Sequence, residues 1–262
     1  MGMKIYTSSR DGLRFMIPLF QAKSGELLAL IQADYLGQMR TGAASGFATK
    51  LLARPDARTL GIIGTGLQSC TQLEAVTAVR KIERIRAFGR DPERRGLFAR
   101  EMEQKLGVPV EAVASAEEVV HDADILITST TASRPVVSGK LLRAGTHINA
   151  IGANFPQKAE LDTDAVNRCD AIFVDSREQS KLEAGDLIQA FQGDHSRWEK
   201  VRELADLVAG RVEGRTSLEQ ITLFKSNGIA IEDVVTAGRI YELALKRGIG
   251  NQVELWNSDP AG

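Results

Sequence analysis

Gly64 and Gly66 stand at the centre of the run Gly-Ile-Ile-Gly-Thr-Gly-Leu-Gln-Ser over 61–69. An apolar stretch with strand character enters this run and a helical stretch leaves it, and that context gives the glycines chemical meaning. Gly64 permits a tight turn, and Gly66 lets the backbone approach a pyrophosphate. Thr65 lies between them, and the amides near Leu67 and Gln68 point the positive end of a helix dipole at the same place. Ser69 takes the sixth position and is small enough for close helix–strand packing. The ligand expected here is a nicotinamide dinucleotide, although a tight turn without a ligand uses the same residues.

The next strand should end near Phe88, where an acidic side chain ordinarily holds the adenosine ribose. Here the chain reads Gly89-Arg90-Asp91, with Arg94 and Arg95 one turn on. A guanidinium at Arg90 suits a 2′-phosphate, which favours NADP, while Asp91 keeps NAD open. Thr130 and Thr131 follow the apolar run 123–129, at a strand end where open α/β sheets bind ligands. Asp175 ends a later strand. Ser226 and Gly228, in the turn Lys225-Ser226-Asn227-Gly228, are placed to approach a nicotinamide amide. The histidines at 121, 147 and 195 stand singly and make no metal spacing.

These residues need a scaffold, and the chain supplies its rhythm. Residues 13–35 alternate apolar runs around Lys23-Ser24-Gly25-Glu26, which predicts an antiparallel hairpin or meander. A helix is expected from Thr41 to Ala53, ending before Pro55. From Thr59 short apolar runs alternate with helical stretches, the pattern of a parallel sheet covered on both faces. Asp91 before Pro92, Ser115 with Glu118, and Gly107 after Leu106 are helix caps. Residues 229–247 read as one more helix, and the tail after Gly250 as loosely held.

Composition limits the partners. The 262 residues are 43% hydrophobic and carry a formal net charge of -1, with 33 basic and 34 acidic side chains. No positive excess exists to meet a nucleic acid, and no apolar run approaches the roughly 20 residues of a membrane span. Cys70 and Cys169 lie far apart, which predicts reduced thiols and a cytoplasmic location.

The stretch 40–45 (Arg-Thr-Gly-Ala-Ala-Ser), the glycine turn, INAIGANFPQKAELD at 148–162 and TLFKSNGIAIEDV at 222–234 together resemble the ornithine cyclodeaminase and mu-crystallin family. The resemblance implies a Rossmann-type, doubly wound parallel sheet over 55–231. A smaller, discontinuous sheet domain over 1–54 and 232–262 would carry the substrate site and the homodimer interface. It assigns Arg40 to the substrate carboxylate, and Lys4 to its orientation or to protonation beside an imine; a chain-end lysine with no such role is the alternative for Lys4. Cyclodeaminases have an Asp where this chain has Asn154, and an amide has no proton to exchange as a general base. The implied activity is therefore an NAD(P)H-dependent reductase of a small imine of a 2-oxo acid, or the reverse amino-acid dehydrogenase. A cyclodeaminase with recycled NAD and an inert dinucleotide-binding dimer are the alternatives. Family members usually carry several dozen residues ahead of the lysine, so either the natural start lies further upstream or the smaller domain is shortened here, and without those residues an edge or apolar face is expected to be exposed.

Overall fold

A computed structural model describes residues 1–10 and 12–253. The first strands are β1 (Ile5–Ser9), β2 (Gly12–Phe20) and β3 (Leu27–Gln32), followed by the helix α1 (Asp34–Leu52). Then come β4 (Thr59–Ile63), α2 (Leu67–Val79), β5 (Arg84–Phe88), α3 (Pro92–Leu106), β6 (Val110–Ala112), α4 (Ala116–Asp122), β7 (Ile125–Thr128) and β8 (His147–Ala150). The chain continues through α5 (Thr163–Asn167), β9 (Ala171–Val174), α6 (Arg177–Glu183), α7 (Gly185–Phe191), β10 (Val201–Glu203), α8 (Leu204–Val208), β11 (Thr222–Lys225) and α9 (Ala230–Arg247).

The chain divides into two compact units, one of residues 1–37 and 230–262 and one of residues 38–229. In the larger unit, the described strands form an eight-stranded parallel sheet in the order β10-β9-β11-β8-β7-β4-β5-β6. Alternate side chains enter opposite cores: Leu60 and Ile62 join Ile125 and Ile127 on one side, Ile63 and Leu126 join Ile148 and Leu223 on the other. Both faces are apolar because both are covered, which is why these strands read as short continuous apolar runs. This is the doubly wound parallel sheet expected from the alternation. The expected caps are also present. Asp91 accepts the amides of Glu93 and Arg94, Ser115 accepts that of Glu118, and Gly107 is left-handed at φ 66°.

The smaller unit holds the antiparallel sheet β1-β2-β3 with α9 against β2. Ile17, Leu19, Ala33, Leu36 and Ala237 are its buried centre. Gly25, at φ 75°, makes the turn between β2 and β3. Ile5, Tyr6, Leu13, Met16 and Leu30 of this sheet are exposed.

Three local expectations are corrected. The first long helix starts at Asp34, not Thr41. Residues 34–40 show little apolar period, yet Asp34 in the first turn complements the helix dipole. Arg40 therefore sits in the second turn instead of opening the helix. β1, β10 and β11 lie outside the expected strands; β10 has three residues and β11 four, too short for a period to register. Of the tail after Gly250, residues 254–262 lie outside the described part.

Candidate active site

β4 ends in a turn that only glycine fits. Gly64 has φ 111°, its amide donates to the Phe88 carbonyl at 2.8 Å, and a Cβ there would overlap the Ser129 carbonyl oxygen. Gly66 is the N-cap of α2 and offers no side chain to its amides, and a Cβ built on it meets no atom within 4 Å. Open space before an uncapped helix N-terminus fits an anionic diphosphate. Thr65 packs against Gly89, leaving no room for a Cβ there, and Leu67 is 75% exposed. Gln68 keeps a buried Oε1 with no hydrogen-bond partner among the described residues.

At the end of β5 the three arginines differ. Arg90 and Arg94 are exposed. Arg95 turns back, donating to the Gly89 carbonyl at 3.0 Å and lying over the Phe88 ring. The Asp91 carboxylate caps α3 through one oxygen, with Oδ1 at 3.0 Å from the Glu93 amide and 3.1 Å from that of Arg94.

The α1–α2 crossing brings backbones close. A Cβ at Gly42 would stand 2.5 Å from the Thr71 carbonyl oxygen, and one at Gly46 2.8 Å from that of Ala75. Small residues at a four-residue spacing make this approach possible, and Thr71 Oγ1 donates to the Gln38 carbonyl at 2.9 Å. The crossing fixes the helix segment that carries Arg40.

Arg40, half-buried, reaches the turn after β11. Gly228 has φ 78°, and a Cβ there would lie 2.6 Å from Arg40 Nη1. Asp175, at the end of β9, holds that turn. Its Oδ2 accepts Ser226 Oγ at 3.0 Å, the Asn227 amide at 2.8 Å and the Gly228 amide, while Oδ1 accepts the Ser176 amide. Asp175 is buried and faces the turn. The Asn227 carboxamide nitrogen and oxygen are buried without a partner among the described residues.

The loops after β7 and β8 meet at Glu160. This buried carboxylate accepts Thr128 Oγ1 at 2.8 Å, the Thr130 amide at 2.7 Å and the Gly152 amide at 2.7 Å. Burial pushes its carboxyl up from the ordinary range and Lys225 pulls it back. Thr130 Oγ1 accepts the Ala132 amide, Thr131 is exposed, and Asn154 is exposed beyond the held loop.

Lys4 belongs to the smaller unit and is not a loose end. Its ammonium lies 3.0 Å from Asp233 Oδ1 on α9 and 4.8 Å from the centre of the Phe15 ring.

The sequence model of the ornithine cyclodeaminase/mu-crystallin family matches residues 6–248. The chain belongs to this family. A Delta(1)-pyrroline-2-carboxylate reductase of Bacillus cereus is 42% identical over 240 residues, covering 91% of this chain and 74% of that protein. The solved Delta(1)-pyrroline-2-carboxylate reductase of Thermococcus litoralis, in complex with NADH and L-proline, is 42% identical with a TM-score of 0.92, over 96% of this chain and 80% of that one. An archaeal alanine dehydrogenase dimer with bound NAD is 34% identical with a TM-score of 0.91, over 97% and 81%.

In this family member the larger unit gathers Arg40, Asp175, Ser226 and Gly228 at one turn, and Thr130 with the Gly152–Asn154 loop at another. Arg90 stands apart at the end of β5. Sequence reasoning missed Glu160, Lys225 and Asn227, although each lies inside a stretch quoted for the resemblance. A lysine in the otherwise apolar run 221–225 was the available signal, because a fully buried lysine requires partners. Asp186 is one such partner. Lys181, on α6, instead pairs with Glu178 at 2.7 Å on the surface.

Proposed function

We propose that this chain is an NAD(P)H-dependent reductase of a small imine of a 2-oxo acid, or works in the reverse direction as an amino-acid dehydrogenase. One observation carries the reading. A glycine turn fitted to a diphosphate and a guanidinium seated at the turn after β11 lie at the carboxyl edge of the same parallel sheet, where such sheets bind their ligands. The relatives' activities support it.

A reduced nicotinamide supplies the hydride for the carbon of the C=N bond, and a proton must reach the nitrogen to yield the amine. The chain's own contribution is placement. Gly64, Thr65, Gly66, Leu67 and Gln68 would hold the diphosphate, with Thr130, Thr131, Ser226 and Gly228 toward the nicotinamide and Asp175 acting through the turn it braces. Arg40 would clamp the carboxylate with its planar fork. Asn154 would hydrogen-bond the nitrogen or a water, and Lys4 would orient the substrate or give the proton. Asn154 disfavours a cyclodeaminase, since an amide does not act as a general base.

NADP is the proposed dinucleotide. Asp91 Oδ1 is engaged by the first turn of α3, and the exposed Arg90 and Arg94 supply positive charge beside the expected place of the adenosine ribose. The working form is proposed to be a cytoplasmic homodimer, supported by the exposed apolar side chains of the small sheet, the two free thiols and the dimeric relative. Light scattering that returns a monomer at micromolar concentration would contradict the dimer.

The deciding experiment follows NADPH absorbance with pyrroline-2-carboxylate and piperideine-2-carboxylate. Wild type should oxidise NADPH stoichiometrically, and Arg40→Ala should lose about a hundredfold or more in kcat/KM. Equal rates from the two proteins would sink the assignment of Arg40. Ornithine turnover without absorbance change would indicate the cyclodeaminase, and binding without any turnover the inert dimer.

A further inference from the structure

Lys225 ends β11 with its side chain fully buried. Its ammonium lies 3.3 Å from Asp186 Oδ2 and donates to the carbonyls of Ala150, at 3.4 Å, and Ala153. Asp186 Oδ1 accepts the amides of Glu160, at 2.6 Å, and Leu161, at 2.9 Å. Glu160 in turn holds Gly152 and Thr130. A Cβ at Gly152 would collide with both the Glu160 carboxylate and the Thr130 carbonyl, so the loop is clasped from two sides.

One cation and two carboxylates are thus buried together, at a desolvation cost that well-packed apolar side chains would avoid. Their consequence is geometric. Lys225 holds Ala150 and Ala153 through their carbonyls, Glu160 holds Gly152 through its amide, and Asn154, beyond Ala153, is exposed. The loop after β7 is tied to the same carboxylate through Thr128 and Thr130. Side chains from β11 and the segment 156–162 therefore converge on one short backbone stretch, and Asp186 of α7 anchors both of them.

We propose that Lys225 and Glu160 are positioning residues that fix the Ala150–Asn154 backbone, so that hydride transfer depends on them far more steeply than dinucleotide affinity does. The choice of substrate in the test rests on the imine-reductase reading above. Neither residue touches substrate; each acts through the loop. Misplacing a reacting group by about 1 Å costs on the order of a hundredfold in rate.

The test uses the full chain with Lys225→Met, which keeps length and removes charge, and Glu160→Gln, which sets an amide donor against the Gly152 or Thr130 amide. Three readouts are taken: hydrogen exchange of amides 150–155, NADPH affinity by fluorescence, and kcat on pyrroline-2-carboxylate with protio and 4-deutero NADPH. The expected result is exchange faster by about tenfold in 150–155 with α2 unchanged, affinity within about threefold, and kcat down about a hundredfold with a larger isotope effect. Unchanged exchange in 150–155 overturns the proposal whatever the activity. So does a loss of NADPH affinity as large as the loss of kcat, which would mark a general structural role. If Lys225→Met does not fold, Glu160→Gln decides by the same criteria. A wild type that reduces no 2-imino acid overturns the reductase reading alone, and the exchange measurement still decides whether the network fixes the loop.

Discussion

The guanidinium of Arg40 fills the space that a side chain at Gly228 would need, with Nη1 2.6 Å from the position of a Cβ there. A residue in the second turn of α1 and one just past β11 therefore define each other's conformation. Gly228→Ala should push the guanidinium aside and strain a backbone at φ 78°. The expected loss in kcat/KM for the imino acid is about ten- to a hundredfold, with about 1 kcal/mol of stability. Steady-state kinetics beside a denaturant melt checks it, and unchanged KM and kcat would show that Arg40 has no substrate role.

The two glycines of the turn proposed to hold the diphosphate should respond differently. Gly64→Ala meets backbone and a left-handed φ, so it should cost about 2 kcal/mol or more and weaken cofactor binding as well. Gly66→Ala places its Cβ more than 4 Å from any atom of the described residues beyond its chain neighbours and the backbone of its own helix. Its melting temperature should stay at the wild-type value while the NADPH Kd rises about tenfold, or ~1.4 kcal/mol. A Gly66→Ala protein that binds NADPH normally would move the diphosphate elsewhere.

Arg90 should separate the two dinucleotides. Loss of a charge-assisted contact to a 2′-phosphate predicts an NADPH Kd about ten- to a hundredfold weaker in Arg90→Ala, with NADH unaffected. Titrating both cofactors by fluorescence tests it. Parallel changes, or none, would return the preference to NAD.

His147 predicts a pH dependence of stability. Its ring is fully buried, with Nδ1 2.9 Å from Thr222 Oγ1, and burial followed by the Arg215 charge lowers its pKa from 6.5 to about 3. The folded state therefore excludes a proton that the unfolded state accepts between those two values. Stability should fall as pH drops below 6.5, by up to about 1.4 kcal/mol per pH unit from this group, until about pH 3. Urea melts from pH 7 to pH 4 should show a shallower slope in His147→Gln than in wild type; equal slopes would refute the contribution.

The large sheet and the tight glycine turn after β4 were legible in the sequence because their signals are local. Short apolar runs, Gly64, Gly66 and the caps at Asp91 and Ser115 each act within a few residues of themselves. The clasp around Gly152 was not legible. Lys225 meets Ala153 and Asp186 across 72 and 39 positions, and only the sheet order brings them together. Asp91 shows the intermediate case: its capping role is visible from Pro92, whereas which of its oxygens the two α3 amides engage emerges only from the geometry. Arg40 was found through a motif, whereas its seat on Gly228 required the fold.

The position of β11 between β8 and β9 has a consequence for synthesis. The ribosome releases both neighbours before the strand that separates them, since β9 ends at Val174 and β11 begins at Thr222. At ordinary elongation rates that interval is roughly 3 to 10 seconds. During it the nascent chain carries two apolar strand edges that must not pair with each other or with a neighbouring polypeptide. The clasp is delivered by the same late strand, so the Gly152 loop is fixed at the moment when the two apolar edges are covered.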